Sequence, residues 1–242
     1  MIKALIKYFF FILGYRLERL KNGEEDYDKT FGRDENLDLQ VLLRGKTNPI
    51  IFDIGAYNGQ SIDRFRALFP DSEIYSFEPD EISFLGLREN YLRKGVYIFQ
   101  LAMGEKPGLA KLFLNTSKDM NSLLKSENPQ FGSRDGELEV TVSTVDKFCE
   151  LHGITHIDLL KTDTQGFELQ VLKGSSRMMH QSRIDFVTME VIFSNMYEGI
   201  SPFDEVYRFL LENGFKLVCF YNFHFLDQRA NWADALFSRF EI

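Results

Sequence analysis

The chain has 242 residues, enough for one sizeable α/β domain with an N-terminal extension and too few for a second full domain. A net charge of −8, with no stripe of lysine or arginine interleaved with aromatics, argues against a nucleic-acid substrate. Cys149 and Cys219 are too few and too far apart for a disulfide framework or a zinc site, so they read as core thiols in a reducing compartment, and a cytoplasmic location is expected.

In residues 1–21, Ile2, Leu5, Ile6, Phe9, Ile12 and Leu13 fall on one helical face that Lys3 and Lys7 interrupt. The run is shorter than the roughly 20 apolar residues that span a bilayer, and Gly14 to Arg19 offers no small-residue cleavage site. Two readings stay open: a helix packed on the domain or on a partner subunit, or a peripheral membrane helix whose basic residues meet anionic lipid. Residues 22–36 are mostly charged and read as a linker or surface loop, and Leu37 to Arg44 as a short helix.

Ile50 to Ile54 is an apolar run broken only by Asp53, which predicts a buried strand. Gly55-Ala56-Tyr57-Asn58-Gly59 makes a turn, and the spacing of Ile62, Phe65, Leu68 and Phe69 predicts a helix from Ser61 that closes before Pro70. Strand, glycine turn and helix together form a nucleotide-type site. A dinucleotide fingerprint would need a third glycine and a phosphate loop would need a lysine, and both are missing. Glu78 ends the next predicted strand, Ile74 to Phe77, where a carboxylate accepts hydrogen bonds from both ribose hydroxyls and repels a phosphate. An acid before the first glycine and an acid after the second strand point to S-adenosylmethionine.

Alternation continues with a helix over Glu81 to Arg93 and a strand over Val96 to Leu101, so a mostly parallel sheet is expected, covered by helices on both faces. Leu109 to Leu114 and Leu138 to Ser143 read as two added strands around a long polar loop, Asn115 to Gly136. Then follow a helix from Val145 capped by Thr144, a buried strand from Ile157 to Thr162, a helix from Gly166 to Leu172, and a strand from Ile184 to Val191. A helix from Phe203 to Asn213 and strands at Phe215 to Tyr221 and Ala235 to Phe240 complete the chain, the last two as an antiparallel hairpin.

Asp53-Ile54-Gly55-Ala56-Tyr57-Asn58-Gly59, Phe77-Glu78-Pro79, Ser143-Thr144-Val145-Asp146, Leu160 to Glu168 and Val171-Leu172-Lys173-Gly174 resemble, in unbroken order, the FkbM-type family of S-adenosylmethionine-dependent methyltransferases. The resemblance implies a Rossmann-like class I methyltransferase fold over residues 37–242. Gln165 stands where the family usually carries Glu, so no role there is assigned to a charge.

On this reading Asp53 and Gly55, with Ala56 and Asn58 in the same turn, face the methionine part of the cofactor. Gly59, Gln60 and Ser61 bring helix amides to its carboxylate, Glu78 with Pro79 holds the ribose, and Leu101, Ala102 and Met103 flank the adenine. A hydroxyl acceptor needs a general base or a metal. Asp163, at a strand end, is the first candidate and also touches the cofactor, although a helix N-cap would account for it equally well. Glu190 and His224 are the other catalytic candidates, and Asn121 and Ser122 could bind acceptor or methionine. No cluster at ligand spacing suggests a metal.

The expected activity is O-methylation of a sugar, glycan or polyketide-like small molecule. Three rivals stay open: a NAD-dependent oxidoreductase on a similar sheet, a non-catalytic partner protein that kept the fold, and transfer to nitrogen.

Overall fold

The computed structural model describes residues 31–92, 95–126 and 132–242. The expected helix and membrane contact of residues 1–21 lie outside the described residues. Elements follow in the order α1 (Glu35–Leu42), β1 (Ile50–Ile54), α2 (Gln60–Leu68), β2 (Glu73–Phe77), α3 (Glu81–Tyr91), β3 (Val96–Phe99), β4 (Ala102–Met103), β5 (Gly108–Asn115) and β6 (Arg134–Ser143). The second half runs α4 (Val145–His152), β7 (Ile157–Thr162), α5 (Glu168–Lys173), α6 (Ser176–His180), β8 (Ile184–Ile192), α7 (Phe203–Glu212), β9 (Lys216–Leu226) and β10 (Arg229–Ser238).

Seven strands form one sheet in the order β3-β2-β1-β7-β8-β10-β9. The first five are parallel and the β9–β10 hairpin adds antiparallel to β8, which is the architecture expected. Strand order runs outward in opposite senses on either side of the β1–β7 pair, and such a switch point opens a crevice at the carboxyl ends of the strands.

Period-two alternation explains why both faces carry helices. Phe52, Leu160 and Val187 point into one core with Phe148 of α4 and Leu210 of α7, while Ile51, Leu159 and Phe186 point into the other with Leu39 of α1 and Phe65 of α2. Burial of these side chains stabilises each by about 1.5–3 kcal/mol. A smaller sheet, β4-β6-β5, stands beside the main one, so the two added strands are present as an antiparallel pair with Ala102–Met103 on their edge.

Several boundaries differ from expectation for physical reasons. The helix α1 starts inside the expected charged linker, because Asp34 caps it by accepting from the amides of Asn36 and Leu37. Its acids are buried: Arg64 pairs with Glu35 at 2.7 Å, and the Tyr221 hydroxyl donates to Asp38 at 2.6 Å. The last hairpin is longer than predicted, since polar residues such as Asn222, His224 and Arg229 occupy the exposed side of strands whose apolar partners alone were read. No helix among the described residues is long and apolar enough to cross a membrane.

Candidate active site

The carboxyl ends of β1, β2, β7 and β8 surround a crevice of about 320 Å³. Lys161 reaches it from a polar rung across otherwise apolar strands: Ser76, Asp53, Lys161 and Thr188 are consecutive register partners on β2, β1, β7 and β8. The Lys161 ammonium lies 3.0 Å from Asp53 Oδ1 and 3.7 Å from Asp163 Oδ2, and donates to the Gly55 carbonyl at 2.8 Å. Burial alone would lower the Lys161 pKa, but the carboxylates of Asp53, Asp163 and Glu190 outweigh it and the pKa is raised. Lys161 is thus a fixed cation.

This rung corrects one expectation. Asp53 is 0% exposed and spent on Lys161 and Ser76, so it does not meet a ligand directly. Gly55 does reach the crevice. It has φ +80°, and a Cβ there would lie 1.9 Å from the Asp163 carbonyl oxygen, so no other residue lets β1 and β7 come together at this turn. Gly59, at φ +90°, shapes the N-terminus of α2 against the Tyr91 ring rather than lining the crevice.

Glu78 is the best-prepared acceptor in the site. The amides of Tyr57 and Asp80 donate to its Oε2 and Oε1, each at 2.8 Å, which fixes the carboxylate and leaves a lone pair on each oxygen for a ligand. Burial pushes its pKa up to about 7, opposed by those two amides. Ala56, Asn58, Gln60, Ser61, Pro79, Leu101, Ala102 and Met103 line the same crevice.

At its other end stand Asp163 and Glu190. Asp163 is not a helix cap: α5 begins at Glu168 with Phe167 as its cap residue, and the Asp163 side chain is 41% exposed. Glu190 is pushed well above the usual carboxylate range, by burial first and then by the carboxylates of Asp163, Glu168 and Asp234. The Gln165 carboxamide joins the two acids, donating to Asp163 Oδ1 at 3.1 Å and Glu190 Oε2 at 3.2 Å, while its Oε1 accepts from the Tyr197 hydroxyl at 2.7 Å. Gln165 has φ 57°, and Glu168 holds that turn by accepting from the amides of Thr164 and Gly166 and from the Thr164 hydroxyl.

His224 is not brought to the crevice. It is exposed on the outer side of the hairpin, stacked on Trp232, and it is Trp232 that lines the cavity. Part of the long polar loop, Lys118 to Leu123, lines the crevice. Asn121 Oδ1 accepts from the Asn115 amide at 2.8 Å, and the Ser122 hydroxyl donates to the Gln165 carbonyl at 2.7 Å. Both side chains therefore fasten the loop as well as lining the cavity.

The model of the methyltransferase FkbM domain matches residues 53–217. The chain belongs to that family. The 2-O-methyltransferase NoeI of Sinorhizobium fredii is 27% identical over 174 residues, covering 67% of this chain and 71% of that protein. Among solved structures, magnesium protoporphyrin IX methyltransferase from Synechocystis PCC 6803, with bound S-adenosylmethionine, is 10% identical at a TM-score of 0.47, covering 98% of this chain and 96% of that one. Precorrin-6y C5,15-methyltransferase from Geobacter metallireducens is 12% identical at a TM-score of 0.44, covering 89% and 97%.

The crevice of this FkbM-family chain fits the methyl donor that its sequence implies. Glu78 is anchored for a ribose diol, Gln60 and Ser61 line the crevice at the N-terminus of α2 where a carboxylate is favoured, and Leu101 to Met103 give an apolar wall. Metal-ligand spacing occurs elsewhere among the described residues, at His156, Asp158 and Asp185 near the opposite ends of β7 and β8. There the Lys46 ammonium already bridges both aspartates at 2.8 Å.

Sequence reasoning passed over Lys161, Glu168, Tyr197 and Trp232 as site residues. Lys161 carried a signal, a lone charge inside the buried run Ile157 to Thr162. Tyr197 and Trp232 carried none, because their roles depend on which loops meet in space.

Proposed function

We propose that this methyltransferase moves a methyl group from S-adenosylmethionine to a hydroxyl oxygen of a sugar, glycan or polyketide-like small molecule. The observation that carries the reading is the continuity of one crevice from the anchored Glu78 to the linked acids Asp163 and Glu190. The name of the relative NoeI, a 2-O-methyltransferase, supports oxygen as the acceptor atom.

The donor supplies an electrophilic methyl carbon on a sulfonium. The chain supplies position and a proton acceptor. Glu78 orients the ribose, the start of α2 orients the carboxylate, and the loop from Lys118 to Leu123 excludes water. A sugar hydroxyl attacks only as it loses its proton, and Glu190, which lines the crevice and is tied to Asp163 through Gln165, is the group placed to accept it. Asp163 and Lys161 keep the local charge balanced, since Lys161 stays protonated beside both.

The test is transfer of an isotopically labelled methyl group from S-adenosylmethionine to a panel of glycosides and hydroxylated macrolactones. Glu190→Gln should cut turnover by about 100-fold or more while leaving donor affinity within about threefold, as expected for loss of a general base. Label on an amine nitrogen, or full turnover by Glu190→Gln, would contradict the proposal.

A further inference from the structure

We infer that Trp232, backed by His224, is the platform on which the acceptor rests, and that it takes a neutral polyhydroxylated ring in preference to an acidic, phosphorylated or amine-bearing one. The inference rests on the methyl-transfer reading of the same crevice and adds the residue that selects the acceptor.

Trp232 is the one tryptophan in the chain. On β10 it pairs with Ile192 of β8 and His224 of β9. The β9–β10 register slips on both sides of it, between Ala230 and Trp232 and again between Trp232 and Asp234. The first slip puts the extra residue on β10 and the second puts it on β9, so the strands return to step around a single displaced pair. Bulges of this kind re-aim side chains at the rims of sites.

The displaced pair is stacked. The imidazole of His224 lies on the indole with centroids 3.7 Å apart and planes 3° apart. His224 is exposed and covers one indole face, while Trp232 itself is half-buried and lines the crevice. Ile192, Met196 and Tyr197 pack beside Trp232 and hold its orientation. The ring is therefore set before any ligand arrives, and binding costs little side-chain entropy.

Chemistry around the ring narrows the ligand. Glu190 is two residues from Ile192 on β8 and pairs with Asp234, so it lies diagonally across from Trp232 on the same face of the sheet. Gln165, tied to Glu190, lines the same cavity. A flat apolar ring bordered by a carboxylate and an amide matches a sugar, whose C–H face rests on the indole while its hydroxyls reach the polar groups. An acidic or phosphorylated acceptor would meet the half-exposed Asp163 carboxylate beside Glu190, and like charges repel. An amine would find the charge of those acids already shared with Lys161 and Gln165.

A single tryptophan makes the test direct. The full chain, saturated with S-adenosylhomocysteine, is titrated with the methyl glycosides of glucose, mannose, galactose and rhamnose, with the matching sugar phosphates and with amino sugars, while tryptophan emission is followed. The expected result is a saturable emission change with one or more neutral glycosides and a response at least tenfold weaker to the charged analogues. In labelled-methyl transfer, Trp232→Ala should raise acceptor KM at least tenfold with kcat and donor affinity within about threefold, and Trp232→Phe should restore most of that KM. Silence across the neutral panel, a preference for phosphorylated or amino sugars, or an unchanged acceptor KM in Trp232→Ala would overturn the inference. Donor calorimetry on the same protein separates that failure from failure of the methyl-transfer reading, which would show as absent donor binding.

Discussion

Replacing Lys161 with methionine should cost more stability than any surface charge change in the protein, because Lys161 is the counter-ion of a fully buried acid. The ammonium and Asp53 Oδ1 are 3.0 Å apart, with side-chain exposures of 10% and 0%. At an effective dielectric near 20 the attraction is about 5 kcal/mol, most of it offset by the cost of desolvating both ions. Removing only the lysine leaves Asp53 charged, dry and uncompensated, a defect worth about 3–5 kcal/mol. The Gly55 carbonyl also loses a donor at 2.8 Å. Urea unfolding of Lys161→Met should therefore show a loss of about 3–5 kcal/mol, a large share of the roughly 5–15 kcal/mol typical of folded proteins. The double variant Asp53→Asn/Lys161→Met removes both charges and should recover at least about 2 kcal/mol relative to the sum of the two single changes. A loss under about 1 kcal/mol in Lys161→Met, or strict additivity in the cycle, would refute the buried-pair reasoning.

Glu168→Ala strips three hydrogen bonds from the Thr164–Gly166 turn and should destabilise the fold by about 3 kcal/mol or more in the same assay, whereas Glu168→Gln, which keeps an acceptor oxygen, should cost less. Gly55→Ala adds a Cβ 1.9 Å from the Asp163 carbonyl at a positive φ, and should either prevent folding or abolish donor binding by calorimetry. Donor binding should depend on pH through Glu78: its pKa is raised to about 7, ribose hydroxyls bind the ionised form, and so affinity should rise about tenfold per pH unit up to about pH 7 and then level off, with one proton released on binding below that point. The same raised pKa means that the folded chain keeps a proton on Glu78 between about pH 4.5 and 7 that the unfolded chain has lost, so this group withdraws roughly 3 kcal/mol of stability as pH rises through that window. Glu78→Gln should flatten both profiles.

Local features carried the sheet and the donor side of the site. Ile50 to Ile54 and Ile157 to Thr162 are short apolar runs ended by turns, and apolar runs of that length need no distant partner to be read as buried strands. Glu78 was legible for a similar reason, since its meaning depends on its place one strand after the glycine turn. Asp53 shows where such reading stops. Its position was right for a site, but its neighbour in space is Lys161, 108 residues on, and only cross-strand register brings the two together. The acceptor end was least legible, because Gln165, Tyr197, Ser122 and Trp232 come from four separate segments whose meeting is set by loop packing rather than by any periodic pattern. His224 was singled out from its aromatic surroundings, and it stacks on Trp232, which lines the crevice, without lining the crevice itself.

The most direct measurement of the central claim is a calorimetric titration of the full chain with S-adenosylmethionine and, separately, with NAD, repeated on Glu78→Ala. The account predicts saturable binding of S-adenosylmethionine, no binding of NAD, and loss of about 100-fold in donor affinity in the variant, since two charge-assisted hydrogen bonds disappear. A folded chain that ignores S-adenosylmethionine, or a Glu78→Ala variant that binds it as tightly as the parent, would contradict the account.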